Sequence, residues 1–250
     1  MHREGAFVVV GLLAASVGSV TLRAQSVASG DRAYVSVNGT YQATSTTFTD
    51  VVHPIASVEP SIISTAYDVG AAPGFDVAGG YRVWRNLAAG ISVSRLSKAN
   101  DDAVSAQVPH PLYFNQRRSV PATATGLDRV ETAVHVQISW AMPVASGWQL
   151  ALSGGPTLFM VRQDLVKDVN VSQTYPYDTA TSTGVVTGRQ SQSRVGFNAG
   201  GDLSYFLGRR YGVGVSAGYS RARVPLPSDD SSVTVDAGGV RVGGGLRLRF

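Results

Sequence analysis

The 250-residue chain has no cysteine. That excludes a disulfide scaffold, a thiolate zinc centre, an iron–sulfur cluster and a cysteine nucleophile. Charge is scarce as well, at 15% of residues against about a quarter in an ordinary globular domain. Mean hydropathy is nevertheless only +0.05, and apolar runs of about 20 residues do not recur, which excludes a multi-span helical membrane protein. Lysine is almost missing: of 21 basic residues only Lys98 and Lys167 are lysine. The arginines are scattered singly or in pairs such as Arg117–Arg118 and Arg209–Arg210, without the basic stripe and interleaved aromatics of a nucleic-acid face. Missing too, after residue 25, is any apolar stripe at helical period. What the chain has in place of these is alternation.

The opening segment, MHREGAFVVVGLLAASVGSVTLRA over residues 1–24, has a short basic start, an apolar stretch from Ala6 to about Val17 and small residues at its end. That is the pattern of a secretory signal peptide, with cleavage expected after Ala24 or Ser26. The uncharged run Gly5–Leu22 leaves an uncleaved anchor as the alternative. Removing Arg3, Glu4 and Arg23 lowers the formal charge from +4 to +3, and the mature unit is expected over residues 25–250.

Period-two alternation fills that unit. The last residues, AGGVRVGGGLRLRF, put Val240, Val242, Leu246, Leu248 and Phe250 on one face and Arg241, Arg247, Arg249 and glycines on the other. Seven further segments repeat the pattern, around Val35–Tyr41, Phe75–Val83, Leu87–Val93, Val130–Trp140, Trp148–Met160, Val195–Tyr205 and Tyr211–Tyr219. Eight strands of roughly 9–15 residues exceed the 5–6 residues of an ordinary soluble strand and match the 9–11 that a tilted strand needs to cross a bilayer. Their expected connections alternate: 43–73 long, 85–86 short, 98–127 long, 143–147 short, 163–192 long, 208–210 short and 225–236 intermediate. Long loops on one side and tight turns on the other describe an up-and-down barrel with periplasmic turns and extracellular loops. Residues 59–69 read as a hairpin extension above the membrane.

The polar face is too small and uncharged for a water-exposed exterior and suits the narrow lumen of an eight-stranded barrel. The apolar face carries rings near its ends, Trp140, Trp148, Tyr205, Tyr211 and Phe250 on the turn side and Tyr41 and Tyr219 on the loop side, at the depth of an aromatic girdle. The fold class expected is therefore all-β, an eight-stranded antiparallel transmembrane barrel in the bacterial outer membrane. The terminal strand, with Phe250 last and Leu248, Leu246 and Val242 alternating before it, resembles the C-terminal signal read by bacterial barrel-assembly machinery. The mature chain resembles the small OmpA-like or OmpX-like outer-membrane barrels, in architecture and terminal motif. The resemblance implies location and assembly route and leaves activity open. Loops of about 30 residues depart from that family.

Candidate chemistry is sparse. Asp76, Arg82, Glu131, His135, Arg194, Asp202, Arg241 and Arg247 are expected on the lumen face. There they form either an internal ion-pair network that plugs the barrel or an arginine-biased conduit for small anions. Glu131 and His135 lie about 13 Å apart along one strand, which excludes direct acid–base partnership, and an inward His135 argues against a lipid-modifying enzyme. His53 and His110 sit in separate loops without ligand spacing, so no metal or cofactor is expected. Arg95, Arg162, Arg221 and Arg223 fall on the outward register near the loop-side strand ends. They are either solvated loop bases or partners for lipopolysaccharide phosphates. Pro111–Phe114, beside Arg117 and Arg118, is either an extracellular contact point or a patch packed on the barrel rim. The expected role is structural or interactive, with a narrow channel as the alternative and a lipid-modifying enzyme third. The expected surroundings are outer-membrane lipid and lipopolysaccharide, with no nucleic acid. The extracellular partner is open.

Overall fold

The computed structural model describes residues 32–228 and 232–250, so the signal-peptide reading of residues 1–24 lies outside the described residues. Twelve strands follow one another: β1 (Ala33–Gln42), β2 (Thr46–Val52), β3 (Ile55–Ala56), β4 (Glu59–Pro60), β5 (Ile62–Val69), β6 (Ala72–Trp84), β7 (Leu87–Pro109), β8 (Arg117–Ala145), β9 (Trp148–Gln173), β10 (Ala180–Phe206), β11 (Tyr211–Pro227) and β12 (Ser232–Arg249). Eight of them, β1 and β6 to β12, pair antiparallel with their neighbours. The ring closes where β12 meets β1, from Tyr34 opposite Arg249 to Gln42 opposite Arg241. Closure leaves no edge in this wall, as a bilayer requires of a sheet.

At one rim the turns are tight. Gly147, with φ +77°, makes the β8–β9 turn, where an added Cβ would sit 2.9 Å from the Tyr205 ring. Narrow curvature brings backbones together elsewhere. A Cβ on Gly245 would lie within 1.9 Å of the Val37 carbonyl oxygen across the β12–β1 seam, so only glycine fits.

The wall is inside-out by soluble standards. Ile91, Val136, Ile138, Val195, Phe197, Val213, Val215 and Leu246 are exposed on the outside, while Ser36, Asn38, Ser92, Ser94, His135, Thr157 and Asn198 are buried within. The girdle rings expected near the turn-side rim, Trp140, Trp148, Tyr205, Tyr211 and Phe250, are all exposed. Trp148 and Tyr205 pack at 5.0 Å between centroids.

The strands do not stop at the bilayer. β8 runs for 29 residues and β10 for 27, far beyond the 9–11 needed to span. The expected 30-residue loops at 98–127 and 163–192 are therefore mostly sheet, and the true loops are the short links 110–116 and 174–179. The expected extension in the first long connection is β5, which pairs with β2 on one side and with β7 on the other, from Ile62 opposite Gln107 to Ala66 opposite Ala103. Above the wall the ring divides. Ladder pairing of β8 to β9 ends at Arg129 opposite Gln163, and that of β10 to β11 ends at Phe197 opposite Arg221.

These extensions, the head, reverse the sidedness of the wall without changing register. On β11 the inward residues Gly212, Gly214, Ser216, Gly218 and Ser220 give way to Ala222, Val224 and Leu226, all buried, and the outward Val and Tyr residues give way to Arg221 and Arg223. On β9 inward Thr157 gives way to Phe159 and Val161 while outward Met160 gives way to Arg162. The inner faces of the head meet in one apolar core that includes Ile63, Tyr67, Val120, Phe159, Val166, Leu226 and Val235. The level where the polarity exchanges marks the change of solvent from lipid to water.

Candidate functional site: a lumen closed at one end

Two hydrogen-bonded chains cross the lumen. In the first, Arg247 pairs with Asp202 through Nε, at 3.1 Å to Oδ2, and through Nη2, and Ser204 also reaches Asp202. Nη1 of the same guanidinium donates to Asn38 Oδ1 at 2.6 Å, and Asn38 Nδ2 donates to Asp76 Oδ1 at 3.3 Å. One arginine thus ties β12 to β10 and β1, and through Asn38 to β6. Such buried charges are tolerable only when paired and bonded in this way.

The second chain runs through His135. Asn198 Nδ2 donates to Thr157 Oγ1 at 2.8 Å, Thr157 Oγ1 lies 2.7 Å from His135 Nδ1, and His135 Nε2 lies 3.1 Å from Ser94 Oγ. Gln137 Nε2 donates to Asn198 Oδ1 at 2.9 Å. Hydroxyls thus stand at both ring nitrogens, Thr157 at Nδ1 and Ser94 at Nε2. A hydrolytic serine needs a carboxylate on Nδ1 to orient the ring and stabilise its cation, and here Nδ1 meets Thr157.

Above both chains sits a buried ion pair. Arg129 Nη2 lies 3.4 Å from Glu131 Oε2, with both side chains 2% exposed. Arg129 also donates to the Asp236 carbonyl at 2.9 Å, and Glu131 Oε1 accepts the Gly238 N–H at 2.8 Å. This pair and the apolar head core close the lumen on the long-strand side. Below them a cavity of about 220 Å³ extends to the short-turn rim, from His135 and Arg241 down to Arg32, Gln149 and Arg249. The lumen is thus filled by side chains in its upper part, and hollow and polar in its lower part.

The structure brings Asp76, Arg82, His135, Asp202, Arg241 and Arg247 to this cavity. Glu131 belongs to the layer above it and bonds to Arg129, whose position at the edge of the alternating segment concealed its inward aim. Arg194 stands apart and is exposed. Its register is inward, opposite Phe159 on β9, but it lies where the β10–β11 ladder has already ended, so β11 does not pair beside it. Val242, Leu246 and Phe250 are exposed on the outer wall, and the Phe250 carbonyl accepts N–H groups from Arg32 and Ala33 at 2.6 and 3.1 Å.

Arg95, Arg162, Arg221 and Arg223 are all exposed on the outer surface. Arg95, Arg162 and Arg221 are the first outward charges above the apolar belt on β7, β9 and β11. Arg221 Nη2 lies 3.0 Å from Asp236 Oδ2, and Arg223 lies 4.0 Å from the same carboxylate. Arg95 and Arg162 have no ion-pair partner among the described residues. At the far tip, Leu112, Tyr113 and Phe114 are 56%, 56% and 75% exposed, so this patch projects and is not packed on the rim. Its hairpin is tied to its neighbours, with the Asn115 N–H on Glu59 at 3.0 Å and Arg118 donating to the Tyr177 carbonyl at 2.8 Å.

A closed eight-stranded ring with an apolar outer belt, aromatic girdles and a polar interior defines a membrane-spanning β-barrel of the outer-membrane type. No protein-family model and no curated protein matches the chain. Among solved structures it is similar to a Neisserial surface protein, NspA, at 13% identity over 87% of this chain and 97% of that one, with a TM-score of 0.47. It is similar to the outer-membrane protein OprG of Pseudomonas aeruginosa at 7% identity over 88% and 96%, TM-score 0.47. It is also similar to the outer-membrane protease OmpT of Escherichia coli at 9% identity over 89% and 98%, TM-score 0.44.

Proposed function

We propose that this chain is a non-conducting outer-membrane barrel that carries a rigid extracellular head for surface contact or envelope organisation. The observation that supports this most directly is the apolar core, from Leu165 to Leu226, that packs above the Arg129–Glu131 pair. A channel would need water along that axis, where these apolar side chains pack against one another. The head ends in projecting apolar and aromatic side chains, Ile55, Leu112, Phe114 and Tyr175, which suit a partner outside the cell. Ser94 and His135 serve as structure within the wall, not as a hydrolytic pair.

The test is conductance of the purified barrel in planar bilayers, with liposome swelling beside it. The expected result is a silent membrane. Steady single-channel steps would sink the reading and favour the narrow-channel alternative. Two lesser assignments belong to the same reading. Arg95 and Arg162 engage lipid phosphates at the outer interface, where their charge costs little and their forked donors match phosphate. Substituting both by glutamate is expected to reduce lipopolysaccharide retained on purification, and unchanged retention would make them ordinary solvated bases. The terminal Val242, Leu246, Leu248 and Phe250 present the strand to the assembly machinery. Removing Phe250 is expected to slow insertion in cells more than refolding in detergent.

A further inference from the structure

Polarity changes a second time along the outside of the molecule. Above the apolar belt the exposed outward residues are charged or hydroxylated, as Ser119, Thr123 and Asp128 on β8 and Arg189, Ser191 and Ser193 on β10. At the apex they turn apolar again. Ile55, Val58 and Tyr175 are 80%, 86% and 76% exposed, beside the projecting Leu112, Tyr113 and Phe114. These side chains come from three separate segments, the β3–β4 hairpin and the links 110–116 and 174–179. The bonds of Asn115 to Glu59 and of Arg118 to the Tyr177 carbonyl fasten the three at one end of the head. Arg117 lies about 40 Å along β8 from Arg129, so the apex stands clear of the bilayer that holds the wall.

The apex is also poor in backbone donors that need water. Pro54, Pro60, Pro111 and Pro176 carry no N–H. The N–H groups of Ser61, His110 and Tyr177 are bonded to the carbonyls of Pro54, Gln116 and Thr174 at 2.8, 2.7 and 2.8 Å. That of Leu112 is on the His110 ring at 3.1 Å, and that of Asn115 is on Glu59. Loops whose donors are already bonded lose little on dehydration, which a bilayer demands and a wet protein interface does not. Exposure points the same way: a protein partner would need a pocket for each projecting side chain, whereas lipid accepts them all. Charge completes the match. The charged residues of the three segments and their flank are Glu59, Arg117, Arg118 and Asp178, two of each sign. Arg118 is buried and Glu59 holds Asn115, which leaves Arg117 and Asp178 exposed. They offer one counterpart to each pole of a zwitterionic headgroup, the guanidinium fork to phosphate and the carboxylate to an ammonium. Tyr175 and Tyr177, edge to face at 6.0 Å, add ring faces for that ammonium.

We propose that the apex inserts into the headgroup layer of a second bilayer, one rich in zwitterionic lipid of the phosphocholine class, with Ile55, Val58, Leu112, Phe114 and Tyr175 as its anchors. This inference rests on the surface-contact reading of the head and names the surface. Aliphatic side chains and amphipathic rings mark the level of the chain's own membrane, and the same types mark this second level.

The experiment places the folded chain, purified from membranes, in nanodiscs and mixes these with separate vesicles of phosphatidylcholine. Loaded nanodiscs are expected to float with the vesicles and empty ones to stay behind. Phe114→Trp gives a direct signal, quenched when the vesicle lipid is brominated. The natural tryptophans, Trp84, Trp140 and Trp148, lie at the opposite rim, so quenching in the unsubstituted chain measures lipid exchange and is subtracted. Ile55→Ser and Phe114→Ser should each weaken co-flotation about tenfold, the loss of one inserted large side chain. Thr123→Ala, on the polar flank, should leave it unchanged. All three sites are exposed, and heat-modifiable gel mobility verifies that the variants fold. No flotation with phosphatidylcholine, flotation only with phosphatidylglycerol, or nanodiscs that associate with one another in place of floating would overturn the proposal. Failure here in a barrel that is silent in planar bilayers overturns the lipid surface alone. A conducting barrel overturns the sealed lumen, whatever the vesicles show.

Discussion

Tyr67 shows how single side chains hold the head together. Lys167 is an extra residue on β9, where the pairing with β10 slips between Val186 and Thr187. At that bulge the Val166 N–H turns inward to the Tyr67 hydroxyl at 2.7 Å. The ring is buried and stacks on Phe48 with centroids 4.6 Å apart. Tyr67→Phe keeps the stack and strands the Val166 N–H, so the head should lose about 1–3 kcal/mol, read as faster amide exchange on β5 and β9. Burial pushes the Tyr67 hydroxyl from 10.0 up to about 12. Because the folded value is the higher one, this contribution is complete below pH 10.0 and drains away as pH rises through about 12. Head unfolding should steepen with alkali in that window, and Tyr67→Phe should flatten the slope.

The buried Arg129–Glu131 pair makes a second residue-scale prediction. Removing one partner strands the other charge, which typically costs 3–5 kcal/mol. Glu131→Gln should therefore destabilise strongly in urea titrations of the lipid-reconstituted barrel. Adding Arg129→Met to it should recover most of the loss. No recovery would mean that the pair's bonds to the Asp236 carbonyl and Gly238 N–H, and not charge balance, hold the layer together.

At the scale of the element, the eight wall strands were legible because lipid on one side and a narrow lumen on the other force a strict apolar–polar alternation. The short turns were legible for the same reason: nothing but a tight turn fits between Trp84 and Leu87. The head strands escaped notice as strands. Their alternation persists in phase but with its sign reversed, as at Ser220 to Ala222 and Tyr219 to Arg221, and their outward faces are Thr, Ser and Gln, which read as loop. Arg194 was misplaced because register alone does not say where a neighbouring strand ends. The β12–β1 seam offers an element-scale test. Gly245→Val would drive a side chain into the Val37 carbonyl at a crowded backbone contact. Overpacking of this kind usually costs about 1–3 kcal/mol, and because it falls on the closing seam it should lower the unboiled, fast-migrating band on gels. Gly39→Ala, where an added Cβ meets nothing within 4 Å, is the matched control and should leave the band unchanged.

For the whole molecule, the reversal of sidedness makes two bodies from one continuous sheet. The wall is held by ladder hydrogen bonds in a medium that offers no alternative partner. The head is held by ordinary hydrophobic burial in water, with ladder gaps above Arg129–Gln163 and above Phe197–Arg221 where its hairpins separate. The two should respond differently to damage. Phe159, fully buried at the junction of head and wall, should cost about 3–5 kcal/mol when cut to alanine, and so should loosen the head core. Amides of β1 and of lower β12, within the wall, should keep their protection from exchange in lipid. Those of upper β8, β9 and β11 should exchange faster. If instead wall and head amides lose protection together, the molecule is a single cooperative unit, and the head supports the barrel as well as sealing it. In that event the same variant should also lower the unboiled band that reports ring closure. If only the head loosens, the Arg129–Glu131 layer is the remaining seal, and the Glu131→Gln variant becomes the one expected to admit ions in a planar bilayer.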